Sequence, residues 1–251
     1  MDSKSRFTNR VENYVKYRPS YGKDAVDFLY ETIGFRKEDI ICDMGSGTGI
    51  FSKLLLERGS EVIGLEPNEA MREEAMKQLA GFPNYKAAEG SAEETGLEAA
   101  SVNHIVCAQS FHWFDQELAK REMKRILKPG GKVALIWNSR KTTGSPFLEQ
   151  FEQLLLDFGA DYEKVGHKSI TQKSLQPFFA EDGPNLERFV MRQRFDETGL
   201  LGRLLSSSYC PLPGQKGYDR MIDRLRRLFE ENESGGCVTV EYDTELYWGE
   251  V

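Results

Sequence analysis

Ile40-Ile41-Cys42-Asp43-Met44-Gly45-Ser46-Gly47-Thr48-Gly49-Ile50-Phe51 is the stretch from which the fold of this chain can be read. Ile40 to Met44 reads as a short buried strand. Three glycines follow at alternate positions, and Ile50, Phe51, Leu54 and Leu55 then recur at helical spacing. Strand, glycine loop and helix in that order can turn backbone N–H groups and a helix N-terminus toward a ligand. Glycine suits the loop because it tolerates positive φ and carries no Cβ to hold a ligand away. A glycine-rich turn without a ligand is the plainer alternative.

Spacing narrows the choice. The dinucleotide fingerprint G-x-G-x-x-G calls for an acid about 20 residues on. Counted from Gly45, its third glycine falls on Ile50, whereas the chain has Gly49. The pattern is therefore D-x-G-x-G-x-G from Asp43. No Gly-Lys-Ser/Thr follows, so a Walker-type phosphate loop is excluded.

Working outward, Glu61 to Glu66 reads as a second strand ending in an acid, and Glu66 stands at the spacing from Gly45 at which an acid accepts hydrogen bonds from ribose hydroxyls. A solvated surface glutamate is the alternative. Pro67 and Asn68 open a helix with Met71, Ala75 and Leu79 on one face. Tyr85 to Glu89 is a weaker third strand, Val102 to Ala108 a fourth, and Lys132 to Trp137 a fifth after a Lys128-Pro129-Gly130-Gly131 turn. Strands alternating with helices predict a doubly wound α/β fold with a mostly parallel sheet. Two later alternating segments, around Phe189 to Phe195 and Val238 to Trp248, bring the expected total to seven strands, the last antiparallel.

Four parts are expected within a single domain: an N-terminal helical lid over 1–34, a cofactor-binding core over 35–140, a helical insertion capping the substrate over 141–183, and the rest of the sheet over 184–251. The lid begins with an aromatic and basic lead-in in which Tyr14 and Tyr17 either pack on the domain or close the cleft. In the insertion, Phe147, Leu148, Phe151, Leu154, Leu155 and Phe158 mark an amphipathic helix ending at Gly159.

The 251 residues carry a net charge of −7, which disfavours a large nucleic-acid footprint. Cys42, Cys107, Cys210 and Cys237 include no C-x-x-C pair, so buried free thiols in a reducing cytoplasm are expected. The three histidines show no metal-ligand spacing. The first residues lack the apolar core of a signal peptide, and no apolar run approaches the roughly 20 residues of a membrane span.

Asp43 through Gly49, Glu66, Gly90-Ser91-Ala92-Glu93, Gln109 through Asp115 and Leu127 through Gly131 follow the motif order of the class I S-adenosylmethionine-dependent methyltransferases. With the Tyr14-Val15-Lys16-Tyr17-Arg18-Pro19 lead-in and Phe111-His112-Trp113-Phe114-Asp115, the chain most resembles their small-molecule, trans-aconitate methyltransferase-like branch. The resemblance covers 7 to 137 and weakens from 141 onward. It implies a Rossmann-like fold that binds S-adenosyl-L-methionine, releases S-adenosyl-L-homocysteine and needs no metal. It implies that Gly45, Ser46, Gly47, Thr48 and Gly49 hold the methionine part and that Asp43 orients its amino group. Glu66 would clamp the ribose; Pro67 and Met71 would flank the adenine; Ser91, Ala92 and Glu93 would edge it. Gln109 and Phe111 would line the cleft beside the sulfonium, with Arg18 and Tyr14 closing over the carboxylate.

The implied reaction moves a methyl group to a small-molecule acceptor by in-line displacement, in a monomer or homodimer without nucleic-acid or membrane partners. A sulfonium methyl is already activated, so proximity and orientation carry much of the work. A phenol or amine acceptor would need a base, and His112 is the candidate by residue type, against packing or ligand contact. The absence of Asn/Asp-Pro-Pro-Tyr after the fourth strand, where Ala108-Gln109-Ser110-Phe111 stands, counts against adenine-N6 and glutamine methylation. Phe147, Phe151, Phe178, Phe179 and Tyr209 are candidates to line the acceptor pocket, with core packing favoured for the first two. An NAD-dependent oxidoreductase and a cofactor-binding protein without turnover are the alternatives. Ile50 in place of glycine argues against the first.

Overall fold

The computed structural model describes residues 17–160, 162 and 170–251. Seven strands form one sheet in the order β3-β2-β1-β4-β5-β7-β6. They are β1 (Ile40–Met44), β2 (Glu61–Leu65), β3 (Tyr85–Ala88), β4 (Val102–Ala108), β5 (Leu127–Arg140), β6 (Asn185–Phe195) and β7 (Val238–Gly249). β1 to β5 pair in parallel, while β7 runs antiparallel to both β5 and β6. Strand order reverses between β1 and β4, and an open α/β sheet leaves its ligand crevice outside the carboxyl ends at such a point.

The apolar run of β1 is explained by its place in the middle. Ile41, Cys42 and Met44 are fully buried, because helices cover both faces. On one face α1 (Lys23–Phe28, continued by a π turn over Leu29–Ile33) and α2 (Ile50–Leu56) pack over Ile41, Val106 and Ile136. On the other, α4 (Gln116–Ile126) packs through Ala119, Met123 and Ile126 over Cys42, Ile105 and Leu135. Side chains cap two of the helices. Asn68 accepts from the Met71 N–H at the head of α3 (Glu69–Gln78), and Asp115 accepts from Glu117 and Leu118 at the head of α4.

One feature differs from the sequence expectation. β5 begins at Leu127 rather than Lys132, because Val102 pairs with Leu127 and His104 with Lys132. Residues 128–131 are thus a bulge looped out of one strand rather than a turn before it. Within 141–183, the helix α5 (Pro146–Phe158) starts at the Ser145 cap and packs with α7 (Glu197–Leu205) and α8 (Tyr218–Asn232) into a separate apolar cluster beneath Val240 and Tyr242 of β7. After the short α6 (Gln172–Leu175), Phe178 and Phe179 are buried in the cluster that holds Phe111 and Trp137. Among the described residues no helix is long and apolar enough to cross a membrane, and no His/Cys/Asp/Glu group is placed to hold a metal. Cys42, Cys107 and Cys210 are buried and Cys237 is half-buried, and none of the four is in a disulfide.

Candidate functional site

A cleft of about 1290 Å³, open mouth included, lies at the carboxyl ends of β1, β2 and β4. Thirteen residues singled out in the sequence line it: Arg18, Asp43, Gly45, Ser46, Gly47, Thr48, Glu66, Pro67, Met71, Ser91, Ala92, Glu93 and Gln109. Tyr14 lies outside the described residues.

The glycine loop works by its path. At Gly47 (φ 56°) a Cβ would meet nothing within 4 Å, and the residue faces the open cleft. At Gly49 (φ 82°) a Cβ would stand 2.7 Å from Leu79 Cδ1, so this glycine admits α3 against the start of α2 and does not line the cleft. The sequence suggested N–H groups turned to a ligand, yet most are engaged internally. Gly45 and Ser46 donate to the Leu65 carbonyl at 2.8 and 3.1 Å, Gly49 donates to Ser46 at 2.9 Å, and Gly47 donates to Glu66 Oε2 at 2.9 Å. Ser46 Oγ and Thr48 Oγ1 are buried without hydrogen-bond partners, and both residues line the cleft.

Two carboxylates face this space. Asp43 is fully buried on β1, where Oδ2 accepts from the Ser52 hydroxyl at 2.6 Å while Oδ1 has no partner. Desolvation raises its pKa to about 7, Ser52 opposing and Glu66 adding to the shift. Glu66, 9% exposed, follows β2. Its Oε1 accepts from Asn68 N–H at 2.9 Å, each oxygen accepts one bond and keeps a further lone pair, and the residue lines the cleft. Desolvation raises its pKa too, against the N–H groups of Asn68 and Gly47 and the Arg72 charge.

The end of β4 is strained. Gln109 holds φ at 60°, a left-handed conformation rare outside glycine, and lines the cleft. Its N–H donates to Ile136 O at 2.8 Å, and its Nε2 donates to Asn138 O at 3.2 Å. Asn138, also on the cleft wall, donates from Nδ2 to Ser20 O at 3.0 Å and accepts from the Thr244 hydroxyl at 2.6 Å. This ties the N-terminal segment to β5 and β7.

Phe111 and His112 do not line the cleft. Residues Phe111–Trp113 form a 3₁₀ turn, which sends Phe111 into the core against Phe178, ring centroids 4.6 Å apart, and leaves Trp113 and Phe114 on the wall. The resemblance implied Phe111 beside the sulfonium, but the turn places its ring in the core instead. His112 Nδ1 accepts from Trp137 Nε1–H at 3.4 Å. None of the five aromatics offered for the acceptor pocket lines the cleft. Tyr21, Trp113, Phe114 and Asn138 do, and sequence reasoning missed them. Asn138 had a signal: it is the first polar residue after the apolar run of β5.

Comparison with known proteins agrees with this geometry. Residues 42–135 match the model of the methyltransferase domain. An uncharacterised methyltransferase of Mycobacterium tuberculosis is 36% identical over 227 residues, covering 90% of this chain and 86% of that protein. An uncharacterised methyltransferase-like protein of Schizosaccharomyces pombe is 35% identical over 150 residues, and the match spans only 57% of its length. Among solved structures, a candidate type II methyltransferase from Anaeromyxobacter dehalogenans superposes with a TM-score of 0.70 at 21% identity, covering 93% of this chain and 98% of that one. The mycobacterial likeness runs well past the domain segment into the C-terminal part of the sheet, and the chain belongs to the class I S-adenosylmethionine-dependent methyltransferase family.

Proposed function

We propose that the cleft binds S-adenosyl-L-methionine and that the protein transfers its methyl group to a small-molecule acceptor. One observation carries the choice of cofactor. The loop's N–H groups at Gly45, Ser46, Gly47 and Gly49 are spent internally, while Asp43, which lines the cleft, keeps a buried Oδ1 without a partner. A dinucleotide's pyrophosphate needs free N–H donors and tolerates carboxylates badly. A cationic ligand with an ammonium group and ribose hydroxyls needs acceptors, and Asp43, Ser46, Thr48 and Glu66 are acceptors.

When bound, the cofactor supplies a methyl group already activated by its sulfonium charge. Asp43 and Glu66 then orient the two ends of the ligand, Met71 packs along it, and Trp113 and Phe114 keep water from the mouth. His112 holds Trp137 through Nδ1 and is a positioning residue in this reading, so the acceptor brings its own nucleophilic lone pair. The net charge of −7 favours a small molecule over nucleic acid as acceptor.

The test is a parallel calorimetric titration with S-adenosylhomocysteine, S-adenosylmethionine and NAD. Micromolar binding of the first two and none of NAD is expected, with Glu66→Ala weakening S-adenosylhomocysteine by at least about tenfold, the loss of one to two hydrogen bonds to a charged group. Binding of NAD alone would sink the proposal.

A further inference from the structure

Gly64 sits inside β2, where a glycine marks a close approach. What approaches is Tyr85 of β3. A Cβ on Gly64 would stand 2.4 Å from the Tyr85 hydroxyl oxygen and 2.9 Å from its ring. The strand register explains the path. Tyr85 pairs with Val62, two residues before Gly64 on the same face of β2, and its ring leans along the strand to end over the glycine. Gly64 in turn pairs with Asp43 of β1. Neighbouring strands lie about 4.8 Å apart, so the phenol crosses β2 and its hydroxyl ends beside Asp43, on the face that α2 covers.

Among the described residues the Tyr85 hydroxyl is buried without a hydrogen-bond partner, and so are Asp43 Oδ1 and Ser46 Oγ. Asp43, Ser46 and Glu66 are the groups that act on the phenol. The three orphaned oxygens are complementary: a phenol brings a proton, an ionised carboxylate accepts one, and a serine hydroxyl does both. Burial pushes the phenol up to about 12, so it stays a donor across the neutral range. Other groups also face Asp43. The Ser52 hydroxyl on α2 already holds Oδ2. Glu66 stands beyond β2, its charge opposed by Arg72. The Cys42 and Cys107 thiols are kept protonated by burial. None of these gives Oδ1 a donor.

We propose that Tyr85 is a positioning residue that, through the Ser46 hydroxyl, steadies Asp43 in the ionised form a cationic ligand needs. The proposal rests on the cofactor reading and adds to it a residue that stands behind the cleft rather than on its wall. Gly64 then belongs to the same device, because any side chain there displaces the phenol.

The experiment measures the affinity for S-adenosylhomocysteine by calorimetry between about pH 6 and about pH 9 in the unaltered protein, Tyr85→Phe and Gly64→Ala. In Tyr85→Phe the rise of affinity with pH should move up by about half to one pH unit, a loss of about two- to fivefold near pH 7 that closes by about pH 9. Gly64→Ala drives the hydroxyl away without removing it and should move the rise in the same direction. Phenylalanine keeps the ring and removes only an unpartnered oxygen, so a role in packing alone leaves the profile where it was. An unmoved or lowered rise in Tyr85→Phe, or a loss of the same size at every pH, overturns the proposal. Should Gly64→Ala lose its near-ultraviolet dichroism, Tyr85→Phe decides alone. If the unaltered protein binds no S-adenosylhomocysteine at any pH, the cofactor reading falls separately, and melting temperatures decide the role of Tyr85. The fall in stability with pH that Asp43→Asn removes should then end at a higher pH in Tyr85→Phe, because the folded carboxyl gives up its proton later. An unshifted end overturns the proposal.

Discussion

Asp43 is the residue whose surroundings make the strongest demand. Burial raises its pKa to about 7 from 3.8, so below about pH 7 the carboxyl is neutral and above it ionised. A ligand ammonium gains only from the ionised form. Affinity for S-adenosylhomocysteine is therefore expected to rise with pH through about 7 and then level off, and Asp43→Asn to flatten that rise, as titration across the range would show. The empty protein carries the opposite dependence. A group whose folded value lies above its unfolded value loses stability as pH climbs between the two, here about 4 kcal/mol in total. Asp43→Asn should consequently raise the melting temperature at pH 8 while weakening the ligand. At this scale the sequence was legible where a motif fixed both residue and direction, as at Asp43 and Glu66. It misled at Phe111, because one 3₁₀ turn exchanges which aromatic faces inward, and no side-chain pattern over three residues distinguishes the two outcomes.

Elements were read well from period and punctuation, and poorly where contact decides. The span of α5 followed from its apolar repeat, its Ser145-Pro146 start and Gly159. That repeat says that one face is covered but not by what, and the cover is α7 and α8 rather than a ligand. The bulge at 128–131 was hidden for a related reason, since Lys-Pro-Gly-Gly has the same composition whether it ends a strand or loops out of one. The α2–α3 contact gives a direct check. Gly49→Ala meets both a left-handed φ and Leu79 Cδ1 at 2.7 Å, and should cost on the order of 2 kcal/mol. The urea midpoint should fall with the slope unchanged; an unaltered midpoint would mean that α3 shifts freely, contrary to the packing described.

For the whole molecule, the parallel half of the sheet was legible because buried parallel strands write themselves as apolar runs. The order of β6 and β7 was not, since an alternating strand pairs equally well on either side. Protection against hydrogen exchange should follow burial. β1 and β4, covered on both faces, should exchange only on global unfolding, and β6, half-exposed at the edge, much sooner. Mass spectrometry of exchanged peptides would show it, and equal protection across the sheet would contradict it.

β7 is made after β6, yet it is the strand through which β6 joins the sheet. On the ribosome, then, Asn185–Phe195 emerges into water with nothing to pair with, and waits while two helices are synthesised behind it. β5 waits as well, its outer side open. Only when Val238–Gly249 clears the exit tunnel do both edges close together, so the second half of this sheet is assembled in one late step, whereas the first half can fold as it is translated.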